Sequence, residues 1–139
     1  MARHKPNGKI ARLYVRSDTV DFLVALADSF GYTYANAGSP SKMLEALASG
    51  DLVALKARSL AVKLKPRSLD GGDKIQYKPT LYRESFERLT DLAYSLGYHY
   101  ADRGSISAFL EGVASNEVLL FRREFVIPVR EICKQILQT

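Results

Sequence analysis

Basic and aromatic side chains alternate with apolar ones near the start of the chain. Arg12, Tyr14 and Arg16 are each separated by a single apolar residue. Because successive side chains of a strand point to opposite faces, this alternation predicts a strand from Ile10 to Arg16 with one basic, aromatic face and one small apolar face. A guanidinium forms paired hydrogen bonds with guanine, and a tyrosine hydroxyl reaches a base edge or a phosphate, so this face has the chemistry to bind nucleic acid.

A sequence repeat places a second such stretch later in the chain. Residues 31–49 return as residues 97–115 without a gap, and eleven of the nineteen positions are identical. An internal repeat has to be recognised before a fold is assigned, because it fixes the number of modules. We therefore predict two equivalent modules, residues 10–55 and 75–121, joined by a basic connection at 56–74.

The outward face of the second strand depends on its register. The 66-residue offset of the repeat keeps Leu81 on the apolar face, whereas a local match one residue out of step turns Tyr77 and Pro79 outward. A one-residue slip exchanges the two faces of a strand, and proline removes a hydrogen-bond donor from the ladder. We favour the first register, because it keeps Leu81 inward. It gives the second strand three outward side chains, Lys78, Thr80 and Tyr82.

Two amphipathic helices follow each strand. In the first module, apolar residues recur at steps of three and four in residues 20–30 and again in residues 43–48. This spacing predicts helices with one apolar face, and a glycine after each marks its end. Ser39 precedes the second helix as its N-cap, and Ser105 takes the same position in the second module. The short apolar runs after these helices do not distinguish a strand from a helix.

Charge is segregated along the chain in step with the repeat. Residues 1–17 carry five Lys/Arg and no acids, and residues 52–83 have a net charge of +6. Residues 18–51 and 84–121 each have a net charge of −4. A surface that is only solvated mixes the two signs. The basic segments that open each module therefore favour a polyanionic partner over simply soluble loops.

The sequence contains no catalytic or metal-binding pattern. It has two histidines, and its single cysteine, Cys133, excludes an internal disulfide. A P-loop, a dinucleotide fingerprint, a metalloprotease helix and a nucleophile elbow are all missing. We expect a protein that is not an enzyme and binds no metal or other cofactor. With no apolar run near the roughly 18 residues of a membrane span, and no signal peptide, we expect a cytoplasmic protein without membrane contact.

The predicted order of β-strand and two amphipathic helices resembles the ribbon-helix-helix family of DNA-binding proteins, the fold of the Arc and MetJ repressors. The resemblance covers about residues 10–50 and again about residues 76–116. It implies a mainly α fold with short β-strands, in which two tandem copies form an intramolecular pseudo-dimer. The segment between the helices, 31–39, is longer than the tight turn of that family. Residues 1–9 are predicted as a basic arm, and 122–139 as a C-terminal segment with a helix.

The resemblance also implies a role for particular residues. In that family an antiparallel ribbon enters the major groove and its outward side chains contact bases. The start of the second helix holds a phosphate through its free N–H groups and its positive dipole end. The base-contacting positions on this chain are then Arg12, Tyr14, Arg16, Lys78, Thr80 and Tyr82. The phosphate-contacting positions are Ser39, Ser41, Lys42, Ser105 and Ser107.

The expected function is that of a sequence-specific DNA-binding transcriptional regulator, most simply a repressor, with double-stranded DNA as its partner. Because the two strands of the ribbon differ, its two half-sites need not be identical. One alternative is an antitoxin-like or adaptor module, in which DNA binding is secondary and residues 122–139 bind a protein. RNA binding is a weaker third alternative. Two pseudo-dimers could also self-associate.

Overall fold

The computed structural model of the chain describes residues 8–60 and 73–138, apart from the side chains of 8–10 and 136–138. Most of the predicted arm at 1–9 and of the predicted connection at 56–74 lies outside these residues. Within them the fold is mixed α/β rather than mainly α, since short strands also form between and after the helices. Five helices and several two-stranded antiparallel sheets make up the described part of the chain.

The order of elements in residues 8–56 is found again in residues 74–122. The first set is β1 Gly8–Ile10, β2 Leu13–Arg16, α1 Ser17–Phe30, β3 Thr33–Tyr34, β4 Ala37–Gly38, α2 Pro40–Ser49 and β5 Leu52–Lys56. The second set is β6 Lys74–Tyr77, β7 Thr80–Tyr82, α3 Arg83–Ser95, β8 His99–Tyr100, β9 Arg103–Gly104, α4 Ile106–Ala114 and β10 Val118–Arg122. Short 3-10 helices follow at Ala57–Leu60 and Arg123–Phe125, and α5 Val126–Gln138 ends the described chain.

Two broken strands form one antiparallel ribbon, in which β1 pairs with β7 and β2 pairs with β6. The register is the same on both sides of the break, with Ile10 opposite Thr80 and Leu13 opposite Tyr77. The break falls at Pro79, whose carbonyl accepts a 2.9 Å hydrogen bond from the Ala11 N–H. Because proline has no N–H to return the second bond of that pair, the ladder is interrupted while the register is kept.

One face of the ribbon is buried against the helices. Ala11, Leu13 and Val15 are buried on one strand and Leu81 on the other. This confirms the predicted apolar face and the favoured register of the second strand. Helices α1 to α4 pack beneath it, and their largest fully buried side chains include Leu23, Met43, Leu44, Leu89, Phe109 and Leu110. Single-sided burial leaves the opposite face of the ribbon to solvent.

The segment between the paired helices is a small hairpin in each half. The sequence indicated only a segment longer than a tight turn, but β3 pairs with β4 and β8 pairs with β9. At the first turn, Ala35 and Asn36 both have positive φ angles, 51° and 66°. Such a turn matches the twist of a two-residue hairpin. Gly38 lies so close to α1 that an added Cβ would be 2.0 Å from the Val24 carbonyl oxygen, so only glycine fits there.

The remaining elements resolve two predictions that the sequence left open. The apolar runs after α2 and α4 are strands, because β5 and β10 pair with each other, with Ala54 opposite Leu120. The C-terminal segment forms a helix, as predicted, and that helix begins at Val126. Its exposed side chains include Ile127 and Ile132, which are 75% and 56% accessible. Helix α5 is therefore an amphipathic element with apolar groups in solvent.

Candidate nucleic-acid interface

The six residues predicted to contact bases lie along the ribbon. Five of them are exposed to solvent, and Tyr14 and Tyr82 are 57% and 42% accessible. Arg16 was expected to be exposed as well, but it is half-buried. Its Nε atom lies 3.6 Å from a carboxylate oxygen of Glu111. The ribbon therefore presents a polar, basic surface, on which Arg16 is also part of the protein's own packing.

The pairing of β2 with β6 adds two outward residues that the sequence analysis missed. Gln76 lies opposite Tyr14, and its amide Nε2 donates a 3.0 Å hydrogen bond to the tyrosine hydroxyl. Lys74 lies opposite Arg16, and both Lys74 and Gln76 are exposed. Their positions share the two-residue period of Lys78 and Tyr82. Extending that period two steps towards the N-terminus would have found both of them.

The centre of the ribbon carries two cations. The common register of the two ladders sets Arg12 opposite Lys78 between them, and both side chains are exposed. Two positive charges that face each other repel, so this pair does not stabilise the fold. A polyanion laid across the ribbon would relieve that repulsion.

Helix α4 starts against the outer edge of β2. The hydroxyl of Ser107 accepts a 3.2 Å hydrogen bond from the Tyr14 N–H, and Glu111 accepts one of the same length from the Arg16 N–H. These N–H groups point away from β6 and would otherwise be left unpaired at a strand edge. Ser107, predicted to hold a phosphate, is therefore also a structural contact that fixes α4 beside the ribbon.

Glu45 makes the corresponding contact on the other edge. Its carboxylate accepts a 2.7 Å hydrogen bond from the Tyr82 N–H and a second bond from the Ser85 hydroxyl. Tyr82 is the N-cap of α3, and its side chain makes no capping bond. A glutamate that reaches back to the N-cap N–H is the second half of a capping box, although here it comes from another helix. Glu45 and Glu111 thus tie the second helix of each half to the ribbon strand of the other.

The predicted phosphate-binding serines begin their helices as expected. Ser39 accepts a 3.3 Å hydrogen bond from the Lys42 N–H, and Ser105 accepts a 3.1 Å bond from the Ala108 N–H. Both are therefore N-caps. Ser41 is half-buried in the first turn of α2.

The side chain of Lys42 is held on the neighbouring hairpin. Its Nζ donates a 2.7 Å hydrogen bond to the carbonyl of Thr33 and lies 5.8 Å from the ring centroid of Tyr34. The ammonium group is exposed but occupied, so a phosphate contact would require it to leave one of these partners. Among the five predicted phosphate contacts, it is the one charged group.

A cleft of about 470 Å³ lies between the ribbon and α4, and its lining runs from Ser105 at the start of the helix to Ser115 at its end. Arg16 and Lys74 line its ribbon side, and Ser105 lines its helix side. The two cations and the positive end of the helix dipole favour an anion, although Arg16 is already paired with Glu111 at 3.6 Å. The two acids that also line the cleft, Glu111 and Glu117, each accept a hydrogen bond from within the protein.

Tyr98 also lines this cleft. Its hydroxyl donates a 2.9 Å hydrogen bond to Glu117, and the Nζ of Lys56 lies 4.3 Å from its ring centroid. Burial raises the pKa of Tyr98 well above its ordinary value, and the hydrogen bond to the Glu117 carboxylate raises it further. Gly112 faces the ring so closely that a Cβ there would lie 2.4 Å from the hydroxyl oxygen. Tyr98 is thus a neutral, fixed support for the α4 side of the cleft.

The described ranges, 8–60 and 73–138, contain no group of three His, Cys, Asp or Glu side chains placed to hold a metal ion. No helix among these residues is long and apolar enough to cross a bilayer. No family model, curated protein or solved structure matches the chain.

Proposed function

We propose that the chain is a sequence-specific DNA-binding protein that inserts its ribbon into the major groove, and that it represses transcription where its site overlaps a promoter. One observation carries the proposal. Two stretches that lie 66 residues apart pair into a single ribbon whose outward face bears Arg12, Tyr14, Lys78 and Tyr82, while most of the inward face is buried. The major groove of B-DNA admits a two-stranded ribbon of this kind.

The register of the ribbon supports the finer proposal of two tandem ribbon-helix-helix modules forming a pseudo-dimer. Arg12 and Lys78, which face each other at its centre, are separated by the 66-residue offset of the sequence repeat. Ala54 and Leu120, which face each other in the pairing of β5 with β10, are separated by the same offset. Equivalent residues meet where an approximate two-fold axis crosses a ribbon, so both pairings support one common axis. The two hairpins and the pairing of β5 with β10 are additions to the ribbon-helix-helix pattern.

In-vitro selection of random duplex DNA at about 150 mM salt tests this function, because non-specific phosphate binding is weak there. We expect one short motif to be enriched. Arg12→Ala should lose about 5- to 150-fold in affinity for that motif, the range for one bidentate base contact. Lys134→Ala is a matched control, since it removes a positive charge from exposed α5. Equal losses for both variants, or no enriched motif, would refute base recognition by the ribbon.

One observation favours the alternative, an antitoxin-like or adaptor module that binds a protein. Helix α5 leaves Ile127 and Ile132 exposed, and amphipathic helices with exposed apolar side chains dock into grooves of partners or pair with each other. The double substitution Ile127→Glu with Ile132→Glu should abolish such an association without changing DNA binding. Sedimentation of the pure protein and affinity for the selected DNA separate the two functions. If the double variant loses DNA binding as well, α5 contributes to the ribbon's function.

A further inference from the structure

We propose that the chain recognises an asymmetric DNA site in one fixed orientation, with base recognition concentrated in the half-site beneath β2 and β6. The inference rests on the proposed function and specifies its substrate. A two-fold symmetric ribbon presents the same side chains to both halves of a palindrome. The ribbon of this chain has the same backbone register on both sides of its centre, but its side chains differ sharply between the two sides.

The half-ribbon formed by β2 and β6 is rich in groups that recognise bases. Its outward pairs are Tyr14 with Gln76 and Arg16 with Lys74. They bring two cations, an amide and a phenol, and the 3.0 Å hydrogen bond from Gln76 to Tyr14 orients the amide. Glutamine recognises adenine and arginine recognises guanine through paired hydrogen bonds. This half therefore has the side chains for two base-specific contacts.

The half-ribbon formed by β1 and β7 is poor in such groups. Its corresponding pairs are Ile10 with Thr80 and Gly8 with Tyr82. Isoleucine and glycine have no hydrogen-bonding side chain, so this half is left with two hydroxyl groups and no cation in these positions. Arg83 follows directly, but it is the first residue of α3 and lies beyond the ribbon. This half is suited to a thymine methyl contact or a single hydrogen bond rather than to paired recognition.

The surfaces that flank the ribbon also differ, and the side next to β2 and β6 carries more positive charge from the ribbon. The cleft beside α4 is lined by two cations of the ribbon, Arg16 and Lys74, of which Arg16 is paired with Glu111 at 3.6 Å. The positions that correspond to these two residues in the other half are Tyr82 and Gly8. The cation at the start of α2 is Lys42, and its ammonium is already bound to Thr33 and set over a ring. Phosphate contacts should therefore be stronger beside the half-site that is also recognised more specifically.

Palindromes made from the selected motif provide the first test. Each half is duplicated in inverted orientation, and the affinity of the whole chain for both palindromes is compared with that for the original site. We expect the original motif to be non-palindromic and the palindrome of the weaker half to bind at least about 30-fold less tightly, since it loses two bidentate contacts. Equal affinity for all three duplexes would overturn the asymmetry while leaving DNA binding intact.

A matched pair of exposed residues provides the second test. Gln76→Ala and Thr80→Ala each remove one hydrogen-bonding side chain, and they lie in opposite half-ribbons. Selection repeated with Gln76→Ala should relax the base preference at positions within one half-site only, and Thr80→Ala should change it much less. Relaxation of both halves by either variant would overturn the inference. If the wild type enriches no motif, the proposed function itself fails, and this inference with it.

Discussion

Glu45 should stabilise the fold by joining two halves of the chain. Its carboxylate accepts the 2.7 Å hydrogen bond from the Tyr82 N–H and another from the Ser85 hydroxyl, residues that lie about forty positions further along. Hydrogen bonds to a charged group contribute about 1.5–3 kcal/mol each. Because Tyr82 is exposed, water replaces part of the lost bonding there. We therefore expect Glu45→Ala to lower the free energy of unfolding by about 2 kcal/mol in total.

Urea unfolding of the purified chain measures this change. For a protein of 139 residues, 2 kcal/mol corresponds to a fall of about 7 °C in the midpoint of thermal unfolding. Glu45→Gln keeps an acceptor oxygen but not the charge, so it should lose about half as much. Glu87→Ala, which removes an exposed acid from α3, is the control and should remain within about 0.5 kcal/mol of wild type.

A double-mutant cycle separates the hydrogen bond from general effects of the substitution. Glu45→Ala and Ser85→Ala should together cost less than the sum of their separate costs, with a coupling of about 1 kcal/mol. If Glu45→Ala is as stable as the Glu87→Ala control, then Glu45 does not hold the two halves together.

Three further predictions concern packing and ionisation. Gly104→Ala should destabilise the chain by about 3 kcal/mol or more in urea, because the new Cβ would lie 1.8 Å from the Thr90 carbonyl oxygen, and wild-type stability would refute that close approach. Phe109→Ala should cost about 3–5 kcal/mol in the same assay, since Phe109 is fully buried, and a cost under about 1 kcal/mol would contradict its place in the core. Burial raises the pKa of Tyr77 to about 12, so its proton is held more tightly in the folded state than in the unfolded one. Stability should therefore fall as pH rises from about 10 to 12, and Tyr77→Phe should flatten that fall in urea unfolding followed across this range.

Local sequence signals predicted the features whose stabilising contacts join residues close together in the chain. Gly31 and Gly50 end α1 and α2 with φ angles of 87° and 90°, a conformation that other residues adopt at a cost. Ser39 caps α2 because its side chain reaches an N–H three residues away. The alternation of polar and apolar residues that begins with Arg12 and Leu13 was enough to predict the two faces of the ribbon. In each case the interacting atoms are within a few residues of each other in the chain.

Elements that depend on distant partners were not predictable from local patterns. Residues 52–56 are a strand only because β10 lies beside them, and the run alone fits a helix equally well. The hairpins form strands of two residues, too short for any period to be detected. Nothing in the local sequence shows that the carboxylate of Glu45 meets the Tyr82 N–H. Gln76 was missed for a related reason, because its role depends on which residue faces it across the ribbon.

Methylation interference on the selected DNA is the most direct test of the central claim that the ribbon occupies the major groove. Methylation of guanine N7 marks that groove, whereas methylation of adenine N3 marks the minor groove. We predict that N7 methylation at the centre of the site blocks binding of the wild type, and that this interference is lost at single guanines in Arg12→Ala and in Lys78→Ala. Interference confined to adenine N3, or an identical pattern for both variants and the wild type, would contradict the account.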